Sequence, residues 1–333
     1  MPSGRAAAGA FHRVLDSVPP AAGAEVMGTG IVSIALSLDG LETISRILLV
    51  IAALMWVTLA ILVPLRARRD RARFLGDMRT PPALTSVAGT AVLGTRLTLL
   101  GWTWAGIAAL VIAVILWAVL LWPVLTHWKT PTVGTSLVLT VSTESLAVLA
   151  ATLAASEHVD WLLVTALTPL GLGLCFYVFV ISRFDMRQIG VGRGDHWITG
   201  GALAISTLAA GKITAAAKAL ATFGHGSGAL KDLSVGLWVV TMLWLPVLVL
   251  AEALRPRLRY DVRRWSTVFP VGMYAACSFV VGSEAQIGAI TRFARVWVWI
   301  ALALWAVVFV AMLARATGVI LGSAAPGAPT PTT

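Results

Sequence analysis

Residues Pro19–Ser33, PPAAGAEVMGTGIVS, place a carboxylate and three glycines inside an otherwise apolar segment. Glu25, Thr29 and Ser33 recur every four residues, and this spacing puts side chains on one face of a helix. Two prolines open the segment, where a helix has no internal partner for the missing N–H groups. The segment therefore predicts a helix with one polar stripe, which lipid alone would not accommodate.

The whole chain is more apolar than a soluble protein. Of its 333 residues, 58% are hydrophobic and only 12% are charged, against about a quarter charged in soluble domains. We therefore predict an integral membrane protein, surrounded by membrane lipid. The net charge of +10 would suggest a nucleic-acid partner in a soluble protein. Here the arginines cluster between apolar runs, which reports membrane orientation, so we expect no nucleic-acid partner.

Ten apolar runs are long enough to span a bilayer, which takes about 20 residues. They fall near residues 19–38, 44–65, 82–101, 103–126, 132–155, 159–182, 196–220, 233–254, 265–285 and 294–317. We predict a ten-helix transmembrane domain over residues 19–318, between a cytoplasmic segment, residues 1–18, and a flexible cytoplasmic tail, residues 319–333. Residues 1–18 lack the apolar stretch of a signal peptide.

Clusters of arginine follow the second and the eighth runs. They are Arg66, Arg68, Arg69, Arg71, Arg73 and Arg79, and Arg255, Arg257, Arg259, Arg263 and Arg264. Positively charged connections stay in the cytoplasm. Both termini are therefore predicted to be cytoplasmic, in a multi-pass protein of the inner (cytoplasmic) membrane. Arg292 and Arg295, at the start of the tenth run, are an exception and fall on the predicted outer side.

Each odd-numbered run holds a charge that we assign to the membrane span: Glu25, Arg96, Glu144, Lys212 and Glu284. On the even-numbered runs, charged residues lie only within three residues of an end. A charge at mid-membrane costs about 2.5–3.5 kcal/mol on insertion scales, so such residues face protein or a wet cavity. We predict an all-α membrane protein of five helical hairpins in a quasi-five-fold arrangement. Odd-numbered helices would line a central pore, and even-numbered helices would form an outer ring. A transporter made of two inverted five-helix repeats would not restrict the polar helices to odd numbers in both halves.

Candidate pore-lining residues combine polar and small side chains on the odd helices. They are Glu25, Thr29, Ser33, Gly89, Arg96, Ser136, Thr140, Glu144, Lys212 and Gly272. Arg96 and Lys212 are expected in the outer half, where an entering anion would meet positive charge first. Glu144 either pairs with Lys212, which would make both structural, or is protonated as an anion passes. For each single glycine, close helix packing is the alternative to lining a pore.

Metal, cofactor and enzyme chemistry have no candidates in the sequence. The five histidines fall in loops or at helix ends, and Cys175 and Cys277 lie in apolar runs. HExxH, P-loop and G-x-S-x-G motifs are missing. We expect no metal, no cofactor and no enzymatic activity, which leaves a conduit, a carrier or a receptor.

Two segments resemble the tellurite-resistance/dicarboxylate transporter family: PPAAGAEVMGTGIVS, and RRWSTVFPVGMYA, which begins at Arg263. This family includes TehA-like channels, slow anion channels of plant guard cells, and fungal malate and sulfite transporters. The resemblance implies a pore between five inner helices, a homotrimer with one pore in each subunit, and a phenylalanine gate on the ninth helix. Phe269, in its Trp-x-x-x-Phe-Pro setting, is the matching residue, and Gly272 would leave room for its ring to turn.

The resemblance and the charges together predict a channel or transporter for small anions, gated by Phe269. The anion would belong to the C4-dicarboxylate, sulfite, tellurite or halide and nitrate classes. Two alternatives stay open. One is a proton-coupled dicarboxylate carrier in which Glu144 titrates, and the other is a drug or metabolite exporter for neutral or cationic solutes.

Overall fold

The computed structural model describes residues 13–191, 194–224, 226–256 and 260–321. These residues form ten long helices, numbered here α1 to α10: Gly23–Leu38, Glu42–Arg69, Thr85–Leu99, Thr103–Thr126, Val138–Glu157, Asp160–Ile181, Trp197–Ala219, Gly226–Leu254, Trp265–Glu284 and Gly288–Leu321. Short helices Arg71–Met78 and Arg187–Val191 lie in the connections. The 3-10 turns Pro81–Leu84, Gly134–Leu137 and Val262–Arg264 lead into α3, α5 and α9.

Eight of these helices are long and apolar enough to cross a membrane. The other two are shorter, with 16 residues in α1 and 15 residues in α3. The predicted boundaries differ most at the starts of α5, α8 and α10, which are Val138, Gly226 and Gly288. Arg292 and Arg295 therefore lie within α10 rather than before it. An apolar run in the sequence stops at a charged residue, whereas a helix can continue through charged residues near its end. Residues 1–12 and 322–333 of the predicted terminal segments lie outside the described residues.

The odd-numbered and even-numbered helices differ in burial. The most apolar stretches of α5, α7 and α9 are 89–100% buried, whereas those of the five even-numbered helices are only 17–28% buried. Helices α1 and α3 are also buried along most of their length. The predicted alternation of buried and exposed helices is thus confirmed for this chain. We call α1, α3, α5, α7 and α9 the inner helices and the other five the outer helices.

The inner helices contact one another in a closed cycle. Helix α1 packs against α3, α3 against α5, α5 against α7, α7 against α9, and α9 against α1. Each outer helix packs against the inner helix that precedes it in the chain. Glycine permits the close contacts in the cycle: a β carbon at Gly30 would lie 2.7 Å from Val92 Cγ1, and one at Gly272 would lie 2.7 Å from Ile31 Cγ2.

Tryptophan side chains join the outer helices to hydroxyl groups on the inner helices. An indole N–H donates from Trp56 to Thr90 (2.9 Å), from Trp117 to Thr143 (2.9 Å), from Trp238 to Ser278 (2.8 Å) and from Trp305 to Thr29 (3.0 Å). In each pair the acceptor lies on the inner helix that follows the donor helix, with α10 followed by α1. Many serines and threonines of the inner helices therefore serve contacts between helices, each worth roughly 1 kcal/mol.

Candidate functional site

A small void lies between the inner helices, on the axis that they enclose. Its volume is about 10 Å³, close to the space that a single water molecule requires. All five inner helices contribute to its lining: Ile31, Ile34, Val92, Thr95, Ser145, Val148, Ile205, Leu208 and Met273. Both lining hydroxyls donate to carbonyl oxygens of their own helices, Thr95 to Ala91 and Ser145 to Ser142. The axis is therefore narrow and largely apolar at this level.

Phe269 lies on α9, four residues before the void-lining Met273. Residues four apart share a face of a helix, so the ring, which is 3% exposed, lies on the void-facing side of α9. The equivalent positions on the other inner helices hold Met27, Ala88, Val141 and Gly201. Two of these four residues are small. One of them, Gly201, lies against Pro270, because a β carbon there would lie only 2.7 Å from Pro270 Cγ.

The glycines predicted to line the pore instead lie against α1. A β carbon at Gly272 would lie 3.2 Å from Val32 Cγ2, in addition to its contact with Ile31. One at Gly89 would lie 3.0 Å from the carbonyl oxygen of Gly23. Gly272 therefore lets α9 approach α1, and the room that we expected it to give the Phe269 ring is filled.

The polar stripe of α1 lies between the inner and outer helices. Thr29 accepts the indole N–H of Trp305, and Ser33 Oγ donates to the carbonyl oxygen of Ser45 on α2 at 2.7 Å. Neither residue lines the central void. Glu25 lies half-buried at the start of the same stripe. Burial and the nearby Glu25 carboxylate raise the pKa of the Tyr260 phenol to about 12, which keeps that phenol protonated.

Arg96 is fully buried in a polar cluster with α2. Its Nε donates to Ser45 Oγ at 2.9 Å, and its Nη2 donates to Glu42 Oε1 at 2.7 Å. The same Glu42 oxygen accepts from Arg46 at 2.9 Å. A buried charge needs such partners. Arg96 thus joins α2 to α3. It is not an open cation in the outer half, where we expected an entering anion to meet positive charge first. Glu42 was missed because it lies just before the second apolar run.

Glu144 is completely buried between α5, α6 and α7. Ser206 Oγ on α7 lies 2.8 Å from Glu144 Oε1 and 2.7 Å from Oε2, within hydrogen-bond distance of both. On α6, Gly173 makes room for the carboxylate, because a β carbon at Gly173 would overlap the Glu144 side chain. Of the two alternatives for Glu144, the pairing with Lys212 is not formed, and Glu144 has no ion pair within the described residues.

Lys212 lies four residues after the void-lining Leu208, on the same face of α7. It is half-buried and forms no ion pair with any described residue. The neighbouring cation Lys218, by contrast, is bound to Glu284 at 2.8 Å. Lys212 is therefore a half-buried positive charge on the void-facing side of α7, and the Glu284 carboxylate is near enough to interact with it electrostatically.

The remaining candidates on α5 and before it lie apart from the void. Ser136 belongs to the turn Gly134–Leu137, where its Oγ accepts from the backbone N–H of Val133 at 3.2 Å. Thr140 is fully buried, and its hydroxyl has no hydrogen-bond partner in the described part of the chain. Across the same residues, no group of three or more His, Cys, Asp or Glu side chains could hold a metal ion.

Comparison with known proteins identifies the family. A family model described as voltage-dependent anion channel matches residues 17–313. Two proteins of Mycobacterium tuberculosis, each named an uncharacterized membrane protein, are 36% identical to this chain over 126 residues; one is from strain CDC 1551 / Oshkosh and the other from strain ATCC 25618 / H37Rv. The alignment covers 35% of this chain and 62% of each relative, so the chain spans less than two thirds of their length.

The family match includes α1 to α9 and most of α10. Its members are channels and transporters that reside in membranes, in agreement with the eight apolar helices long enough to cross one. The chain is therefore a multi-pass membrane protein, and it belongs to the voltage-dependent anion channel family, which includes the tellurite-resistance and dicarboxylate transporters.

Proposed function

We propose that this protein is an anion channel of the cytoplasmic membrane whose conduction path follows the axis enclosed by the inner helices. The observation that carries this proposal is the central void, to which every inner helix contributes at least one side chain. A path between five helices from one chain needs no second subunit to complete its wall. Each copy in the homotrimer that the family resemblance implies would then have its own path.

In this proposal all ten long helices cross the membrane, as five hairpins in a quasi-five-fold arrangement. The two shorter helices are extended by turns: the turn at Pro81 and α3 together cover residues 81–99. Both α1 and α3 are surrounded by protein, so they need not match the full hydrocarbon thickness as a lipid-facing helix must. The arginine clusters that follow α2 and α8 lie at one end of the bundle. They support a cytoplasmic location for this end and for both termini.

The path is closed in this conformation by apolar side chains. The void holds about 10 Å³, and Phe269 lies one helical turn away on the same side of α9. A narrow apolar section stops ions because it excludes their hydration water. Conduction therefore requires the Phe269 ring to move away from the axis.

Charge along the proposed path favours anions. Lys212 is on the void-facing side of α7 and carries no ion pair within the described residues, whereas Glu144 is directed toward α6 and α7. A cation beside a poorly hydrated path raises the local concentration of anions. The substrates proposed are C4-dicarboxylate, sulfite, tellurite, halide or nitrate. A flux panel of malate, sulfite, nitrate and chloride, with a cationic dye as the negative control, would identify which of these passes.

The gate is tested by Phe269→Ala in planar bilayers and in proteoliposomes. Without the ring, the constriction widens and hydrates, so we expect anion conductance to rise by at least about tenfold. The matched control is Phe279→Ala, because Phe279 is equally buried on the same helix but lies on a different face from Met273. Equal conductance in the two variants would remove Phe269 from the gate.

A second candidate function is a proton-coupled carrier, favoured by the ionisable Glu144 carboxyl next to void-lining Ser145. The test is Glu144→Gln in proteoliposomes with an imposed pH gradient. For a channel, flux follows the anion gradient and the voltage alone, and it persists in Glu144→Gln. A flux that depends on the pH gradient and disappears in this variant would establish the carrier instead.

A further inference from the structure

A second and larger cavity, of about 410 Å³, lies at the arginine-rich end of the molecule. It opens between the connection before α3, the loop after α4 and the turn before α5. Its volume is in the range of about 300–1,000 Å³ that is typical of small-molecule sites. None of the residues that line it also lines the central void, and one of them is Ser136, which the sequence predicted to line the pore.

The lining of this cavity is positively charged. Arg79 and Lys129 supply this charge, and no lining residue is acidic. Neither Arg79 nor Lys129 forms an ion pair with another described residue. The carboxylate closest in sequence to Arg79, Asp77, is bound to Arg66. Two cations without counter-ions thus face one concave surface, an arrangement that attracts an anion.

Further hydrogen-bond donors line the same cavity. The Trp128 indole N–H is buried and without a partner within the described residues, and the Thr135 hydroxyl forms no hydrogen bond with them either. A buried donor without a partner costs free energy that a bound ligand can recover. His127 Nδ1 lies 2.9 Å from the carbonyl oxygen of Pro123 and 3.1 Å from Thr126 Oγ1, so this nitrogen is engaged within its own segment.

We propose that this cavity binds a phosphate group, carried either by a soluble phosphate ester or by a phospholipid headgroup. A guanidinium presents a fork of N–H donors to phosphate oxygens, and an ammonium adds a point charge. The volume exceeds that of a small inorganic anion and leaves room for the organic part of an ester. A ligand bound to both Arg79 and Lys129 would join the segment before α3 to the segment before α5.

The proposal is tested by binding to the purified full chain. In detergent, isothermal titration calorimetry measures binding of sn-glycerol 3-phosphate, which resembles both a soluble ester and a headgroup. In nanodiscs, native mass spectrometry compares the lipid retained from phosphatidylglycerol mixtures and from phosphatidylcholine alone. Binding of glycerol phosphate in detergent assigns a soluble ligand, whereas selective retention of phosphatidylglycerol alone assigns the headgroup.

The decisive variant is Arg79→Gln/Lys129→Gln, and its matched control is Arg71→Gln/Arg73→Gln. The control removes the same charge from exposed arginines of the adjacent short helix that do not line the cavity. We expect the cavity variant to bind at least about tenfold more weakly and the control to bind normally. Equal weakening in both variants, or binding in neither assay by the unmodified protein, would overturn the proposal.

The single variant Lys129→Gln, on an exposed loop, repeats the test with minimal effect on folding. We expect it to weaken binding, as the double variant does. Its elution volume in size-exclusion chromatography and its thermal stability should match those of the unmodified protein. Unchanged affinity in this variant would exclude Lys129 as a ligand-binding residue. Because the readout is binding, its outcome does not depend on whether the central path conducts anions.

Discussion

Thr143 and Glu144 are neighbours on α5, and they face two different kinds of contact. Thr143 accepts a hydrogen bond from the indole N–H of Trp117 on the outer helix α4. Three other inner helices accept the same kind of hydrogen bond from an outer helix. Glu144 reaches the other way, to Ser206 on α7 and to the space left by Gly173 on α6. Only α6 lacks an indole-to-hydroxyl bond to the following inner helix within the described residues.

The indole-to-hydroxyl bonds are a repeated contact that stabilises the bundle, and Glu144 is the polar group that departs from this repeat. Glu144 directly precedes a void-lining residue, and the equivalent positions on the other inner helices hold Gly30, Ala91, Ala204 and Gly272. Small side chains at these four positions allow the inner helices to touch. At the fifth position a carboxyl is buried instead, which costs stability unless it is hydrogen-bonded. The Ser206 hydroxyl supplies that hydrogen bond to Glu144.

The largest expected effect comes from filling the space beside Glu144. In Gly173→Ala, the added methyl group overlaps the Glu144 side chain, so we expect a loss of about 3 kcal/mol in the free energy of unfolding. Unfolding by SDS titration in mixed micelles measures it. The control is Gly171→Ala on the same helix, where an added β carbon would meet no atom within 4 Å. If Glu144→Ala does not restore stability to Gly173→Ala, the two residues are not coupled as described.

Removing the partner of Glu144 should have an intermediate effect. Ser206→Ala leaves the buried carboxyl without a hydroxyl, and we expect a loss of about 2 kcal/mol in the free energy of unfolding. In a Glu144→Ala background the same substitution should cost far less, which a double-mutant cycle measures. Ser142→Ala is the matched control, because the buried Ser142 hydroxyl bonds only to the carbonyl oxygen of Leu139 in its own helix. Equal losses for the two serine variants would contradict the assigned role of Ser206.

The smallest expected effect belongs to the regular contact. Trp117→Phe removes one indole-to-hydroxyl bond, and we expect a loss of about 1 kcal/mol in the free energy of unfolding. In a Thr143→Val background this loss should disappear. Trp122→Phe serves as the control, since Trp122 lies on the same helix and is 73% exposed. A coupling between Trp117 and Thr143 larger than that between Ser206 and Glu144 would show that the indole-to-hydroxyl bond stabilises the bundle more than the Glu144 contact does.

Much of the fold was predictable because the membrane makes a misplaced charge expensive. Charges on odd-numbered runs predicted which helices are buried, since a lipid-facing helix excludes them. The gate at Phe269 stays a prediction from the Trp-x-x-x-Phe-Pro motif, and Phe269 lies on the same face of α9 as Met273. The helix ends were less predictable, because a hydropathy run stops at charges such as Arg292 although the helix includes them.

The sequence by itself determined which helices are inner and which residues share a face, because insertion cost and the helical repeat are properties of single segments. Tertiary structure decided which neighbour each face meets. It directed Thr29 and Ser33 toward the outer helices, bound Arg96 to Glu42, and brought Ser206 and Gly173 to Glu144. These partners are far apart in sequence, and a serine or a glycine in an apolar helix gives no signal of the side chain it will accommodate.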